Sequence, residues 1–147
     1  MERWSDSVYQ EGVLSNEGLA GRQERLRGAM AFVNAVSDAG IPVATGTDRG
    51  ASSWHVPMGW GTHRGLQLFV EAGLTPMQAI VAATRAGAEL LSNGEADYGT
   101  LQAGNVADLL VLDADPLVDI KNTLEIDRVM QAGTWLDRAE LLPGPST

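Results

Sequence analysis

Between Gly40 and Gly46 the chain runs through Ile41-Pro42-Val43-Ala44-Thr45, and after Gly46 it passes Thr47 to reach Asp48. A short apolar run that does not alternate, with glycine on both sides, is the pattern of a strand buried on both faces. Such a strand needs hydrogen-bonding neighbours, because every backbone N–H and C=O taken from water must find a partner. The run therefore predicts an α/β architecture in which residues 41–45 join a larger sheet. Pro42 removes one ladder donor and is tolerated only near the strand's beginning. In α/β proteins ligands and catalysts sit at the carboxyl ends of the strands, so Asp48 is the first candidate site residue.

The flanks read as helices. Upstream, Leu26, Ala29, Met30, Val33 and Val36 recur at helical spacing, and Gly40 stands where a terminating glycine belongs. Residues 1–21 show no sustained period and read as an irregular lead-in. Residues 49–61 read as a loop rich in Gly, Ser and Trp. Residues 62–72 form the next predicted helix, with Thr62 as N-cap, Leu66, Phe69 and Val70 inward, and Gly73 as its stop.

Thr75-Pro76-Met77-Gln78 then has the form of a capping box with proline at the first helical position. This helix points Met77, Ile80 and Val81 at a core and runs to about Thr84, with a further turn or two through Leu90 and Leu91. Beyond it lie a strand at residues 107–112, ended by Asp113-Ala114-Asp115-Pro116, and a hairpin of residues 128–131 and 134–136 joined across Ala132-Gly133.

A formal net charge of −9, with ten scattered Lys and Arg, argues against a nucleic-acid partner, whose binding depends on clustered cations. No cysteine is present, which excludes disulfides, thiolate nucleophiles and cysteine-ligated zinc and suits a cytoplasmic protein. No apolar run approaches the ~18 residues that span a bilayer, so no membrane partner is expected. Residues 1–6 carry acids and no apolar stretch of the secretory kind.

Four pieces taken together carry a family likeness: Gly46-Thr47-Asp48, then Leu68-Phe69-Val70-Glu71-Ala72-Gly73-Leu74-Thr75-Pro76, then Ala79-Ile80-Val81-Ala82-Ala83-Thr84, then residues 99–109 from Gly99-Thr100-Leu101 to Ala107-Asp108-Leu109. In order and spacing they resemble the C-terminal portion of metal-dependent amidohydrolases, most like the imidazolonepropionase and prolidase-like branch. The resemblance implies a (β/α)₈ TIM barrel with a small β-sandwich. Residues 1–91 would then supply the last barrel strand and its flanking helices, and residues 92–147 a contribution to the sandwich.

It further implies hydrolysis of a carbon–nitrogen bond in a small-molecule amide, with Asp48 as metal ligand and general base. A divalent metal, zinc first among them, lowers the pKa of bound water, and an adjacent carboxylate takes its proton and returns it to the leaving nitrogen.

The departure from the family pattern is equally informative. These enzymes carry a His-x-His pair and further histidines ahead of the aspartate, whereas the two histidines here, His55 and His63, both follow Asp48. One carboxylate cannot hold a catalytic zinc that takes three protein ligands. The expectation is a partial site: inactive and without stably bound metal by itself, completed by an N-terminal barrel half or surviving as a self-associating, non-enzymatic assembly module.

Candidate substrate-binding residues are Trp54, His55 and Trp60, on the loop after the strand where barrel enzymes build their pocket wall, and His63 just beyond it. Each has an ordinary alternative. The aromatics can simply pack the loop, His63 can bond a nearby backbone group at a helix start, and an Asp after a strand can cap a turn. Thr75 and Gln78 read as capping residues. Asp108, Asp113 and Asp115 read as turn residues rather than ligands.

Overall fold

A computed structural model describes residues 16–47 and 59–137, with the backbone alone for Asn16 and Glu17. Among the described residues four helices come first: α1 (Asn16–Asp38), α2 (Trp60–Glu71), α3 (Pro76–Ala83) and α4 (Arg85–Leu91). They are followed by β1 (Leu109–Leu112), a 3₁₀ helix at Ile120–Leu124, β2 (Ile126–Gln131) and β3 (Thr134–Leu136). The chain is thus α/β, with helices gathered ahead of a three-stranded antiparallel sheet in the order β1-β2-β3.

α1 begins at Asn16, inside the stretch expected to be an irregular lead-in. Once the apolar stripe beyond Leu26 nucleates the helix, each added residue gains a hydrogen bond at little further cost, so weakly patterned residues follow. Its end matches the expectation. Gly40 takes φ +73°, Ile41 N–H donates to Val36 O at 3.1 Å and Gly40 N–H to Ser37 O at 2.9 Å, the paired bonds of a Schellman stop. Gly73, at φ +112°, ends α2 the same way, with Leu74 N–H on Phe69 O and Gly73 N–H on Val70 O, both at 3.0 Å.

The start of α2 differs from the expectation. Gly59 rather than Thr62 is the N-cap, at φ +86° and without a side-chain cap bond. The capping box of α3 is complete: Thr75 Oγ1 accepts from Gln78 N–H at 3.2 Å, and Thr75 N–H donates to Gln78 Oε1 at 2.8 Å.

Residues 41–47 form no regular secondary structure, so the strand expected at 41–45 is not formed. Among the described residues, their one backbone tie outside the helix stop runs from Thr45 N–H to Ala82 O at 3.0 Å, onto α3. The expected strand needs a ladder, and no other strand among the described residues pairs with this segment.

The core lies where α2 packs on α3 and on the 3₁₀ helix. Leu66, Ala79 and Ile120 are buried at its centre, with Phe69, Val70, Ile80 and Ala83 packed around them. Met77, expected inward, is 52% exposed, whereas Ala79 is fully buried. The short Ala side chains on that face, Ala79 and Ala82, let α3 approach its neighbours closely. The hairpin turn places both Ala132 and Gly133 at positive φ, as a two-residue type I′ connection demands.

Candidate functional site

The sequence directs attention to the segment that leads from the end of α1 to Asp48. α1 delivers the chain at Gly40, and residues 41–47 run along α3 towards Asp48, held there by the Thr45–Ala82 bond. Gly46 and Thr47 are exposed. Asp48, Trp54 and His55 lie outside the described residues.

The other two predicted site residues are on α2. Trp60 is its first residue and is 40% exposed. His63, one turn further on, is half-buried. Its Nδ1 lies 3.0 Å from Thr123 Oγ1, so its partner is a side-chain hydroxyl on the 3₁₀ helix, sixty residues away, rather than a neighbouring backbone group. Thr123 is itself buried and its hydroxyl also lies 2.9 Å from Ile120 O. Burial holds the His63 imidazole below its ordinary pKa, because desolvation penalises the charged form.

Thr123 was not visible as a site residue from the sequence. The signal that could have found its helix is Asp119, whose Oδ1 accepts from Lys121 N–H at 2.9 Å and opens the 3₁₀ turn. The remaining acids do structural work. Asp108 Oδ1 accepts from Ala132 N–H at 2.7 Å, and Gly133 N–H reaches Ala107 O at 3.0 Å, so this residue pair anchors the hairpin turn. Asp115 Oδ1 accepts from Leu117 N–H at 2.8 Å in a local turn. Among the described residues no group of three or more His, Cys, Asp or Glu is placed to hold a metal ion. No helix among them is long and apolar enough to cross a membrane.

Residues 18–136 match the model of the amidohydrolase family. The chain belongs to the amidohydrolase family. A search of curated proteins found no match. Among solved structures, this amidohydrolase chain is similar to molinate hydrolase, with a TM-score of 0.64 and 28% identity over 76% of this chain and 27% of that one. A Xaa-Pro dipeptidase with methionine bound in its active site gives a TM-score of 0.61 and 28% identity, covering 74% of this chain and 25% of that one. Phenylurea hydrolase B gives 0.51 and 37% identity over 56% of this chain and 18% of that one. The amidohydrolase chain therefore spans about a quarter of the length of molinate hydrolase and of the dipeptidase.

Proposed function

We propose that this amidohydrolase chain forms the C-terminal part of a metal-dependent hydrolase of carbon–nitrogen bonds, on the prolidase-like side of the family. The observation that carries the reading is the family match across residues 18–136 together with the likeness to a Xaa-Pro dipeptidase and a phenylurea hydrolase. A peptide bond and a urea are both cleaved by water at a carbonyl carbon with nitrogen leaving. On this reading residues 1–91 belong to a (β/α)₈ barrel, with residues 41–47 entering its last strand, and residues 92–147 belong to a small β-sandwich.

Asp48 is the residue assigned to the chemistry. Its carboxylate takes a proton from the attacking water and returns it to the departing nitrogen, a role worth roughly 10²–10⁴ in rate. Trp54, His55 and Trp60 contribute to the wall of the substrate pocket. The family resemblance implies a divalent metal, with zinc the first choice and Asp48 as one ligand. The described residues do not fit such a group, since no cluster able to hold it is found among them. The other ligands come from a barrel portion that the described residues do not include.

The test is complementation. The 147-residue chain, purified with zinc present, is assayed on Xaa-Pro dipeptides and phenylureas alone and after mixing with a barrel portion carrying the His-x-His strand. The expected result is no turnover and no stoichiometric zinc alone, activity on mixing, and a loss of about 10²-fold or more with Asp48→Asn. Stoichiometric zinc and turnover by the chain alone would overturn the assignment of ligands to another portion.

A second reading, an assembly module without catalysis, draws support from exposed apolar side chains such as Phe32 at 70%, Leu91 at 81% and Val118 at 82%. Sedimentation decides it: a monodisperse monomer with a cooperative melt would exclude self-association.

A further inference from the structure

His63 and Thr123 form a partly buried polar contact between two elements far apart in sequence, and the protons in it can be counted. Thr123 has one hydroxyl proton and two neighbours, Ile120 O at 2.9 Å and His63 Nδ1 at 3.0 Å. If that proton went to Nδ1, the hydroxyl oxygen would face the Ile120 carbonyl oxygen with no hydrogen between them, a repulsive arrangement in a buried place. If instead the hydroxyl donates to Ile120 O, its lone pair is free to accept, and Nδ1 must carry the hydrogen. The second arrangement satisfies Nδ1, the Thr123 hydroxyl and the Ile120 carbonyl together.

We infer that Thr123 is a positioning residue for His63: by accepting from Nδ1–H it fixes the imidazole in the Nδ1-protonated tautomer and leaves Nε2 as an acceptor for an N–H or O–H donor. This is the less favoured tautomer of a free imidazole in water, so holding it needs a dedicated partner. Thr123 is suited to the task because it is itself fixed, 7% exposed, back-bonded to Ile120, and carried on the same 3₁₀ helix that places Ile120 in the core. Nε2 has no hydrogen-bond partner among the described residues.

Burial keeps the ring neutral near pH 7, and a neutral ring retains the lone pair. The chemistry that Nε2 can recognise is therefore a donor, such as an amide or amine N–H or a hydroxyl. A carboxylate would meet lone pair against lone pair. Only the use of Nε2 in substrate recognition rests on the hydrolase reading; the tautomer does not.

The experiment uses the full 147-residue chain in a His55→Gln background, so that one histidine is observed. Two-bond ¹H–¹⁵N correlation at neutral pH reads which ring nitrogen is protonated, without any need for turnover. Nδ1–H in the parent, its loss to the Nε2–H form in Thr123→Val, and its return in Thr123→Ser are expected. An Nε2–H ring in the parent, or an unchanged ring in Thr123→Val, would overturn the inference.

Should Thr123→Val fail to fold, the parent and Thr123→Ser spectra decide, since both must show Nδ1–H. Diethyl pyrocarbonate, which acylates an unprotonated and reachable imidazole nitrogen, supplies the second arm. Mass spectrometry should find His63 modified in the parent. An unmodified His63 would overturn the open acceptor, whatever the complementation assay gives.

Discussion

Two helical regions of this chain end in different physical situations. Around Leu66, Ala79 and Ile120, the helices α2 and α3 and the 3₁₀ helix bury their apolar faces against one another. α1 is twenty-three residues long, and none of its described side chains is buried. Leu26 is 46% exposed and Phe32 70%, and Ile41 just beyond the helix is 57% exposed. The difference teaches that an apolar stripe specifies a helix but not its cover. The first region closes because three elements within sixty-five residues face one another. In the second, the described side chains of α1 stay at least partly exposed, and residues 41–47 pair with no strand among the described residues.

The largest effect that separates the two regions is cavity formation. Ile120→Ala should cost about 2–5 kcal/mol by denaturant unfolding, because the buried cluster cannot collapse fully around the deletion. Phe32→Ala should stay within about 0.5 kcal/mol. Similar losses at both positions would show that α1 is covered in solution, and the comparison would fail.

A second perturbation probes the closed region's backbone. Gly99 holds φ +84°, and a β-carbon there would stand 2.7 Å from Ala88 Cβ and 3.1 Å from Thr84 O. Gly99→Ala should therefore destabilise by about 1–3 kcal/mol, from the left-handed backbone and the close approach together. Removing the capping box with Thr75→Ala should cost about 1 kcal/mol, with the loss read as a lower melting temperature.

The smallest effect is one of pH. Because the folded state depresses the His63 pKa, the unfolded chain binds the proton first as pH falls. Stability should thus be fully present above the ordinary histidine pKa of ~6.5 and decline as acidification passes through that value towards the lower folded one. His63→Gln should flatten this part of the stability–pH curve in thermal melts. A slope unchanged by the substitution would place the titration elsewhere.

Much of the local structure was legible in advance. The Thr75 capping box, the glycine stops at Gly40 and Gly73, and the hairpin at Ala132-Gly133 are local devices whose partners lie within a few residues, so the sequence contains both halves of each. The 3₁₀ helix was not anticipated, because five residues give no period to detect. The start of α1 was missed because propagation along a helix needs no pattern of its own. The strand expected at residues 41–45 is not formed, because a strand needs a ladder and no strand among the described residues pairs with this segment.

Of the candidate site, Asp48, Trp54 and His55 rest on position in the sequence alone. The sequence by itself determined the family likeness, the helix ends at Gly40 and Gly73, the helix start at the Thr75 capping box, and the role of Asp108 as a turn anchor. Only the tertiary structure decided that His63 meets Thr123, that Ile120 closes the core, and that α1 is left open. Local hydrogen bonds and steric preferences act within a few residues, whereas which distant groups share a buried space is fixed only by packing.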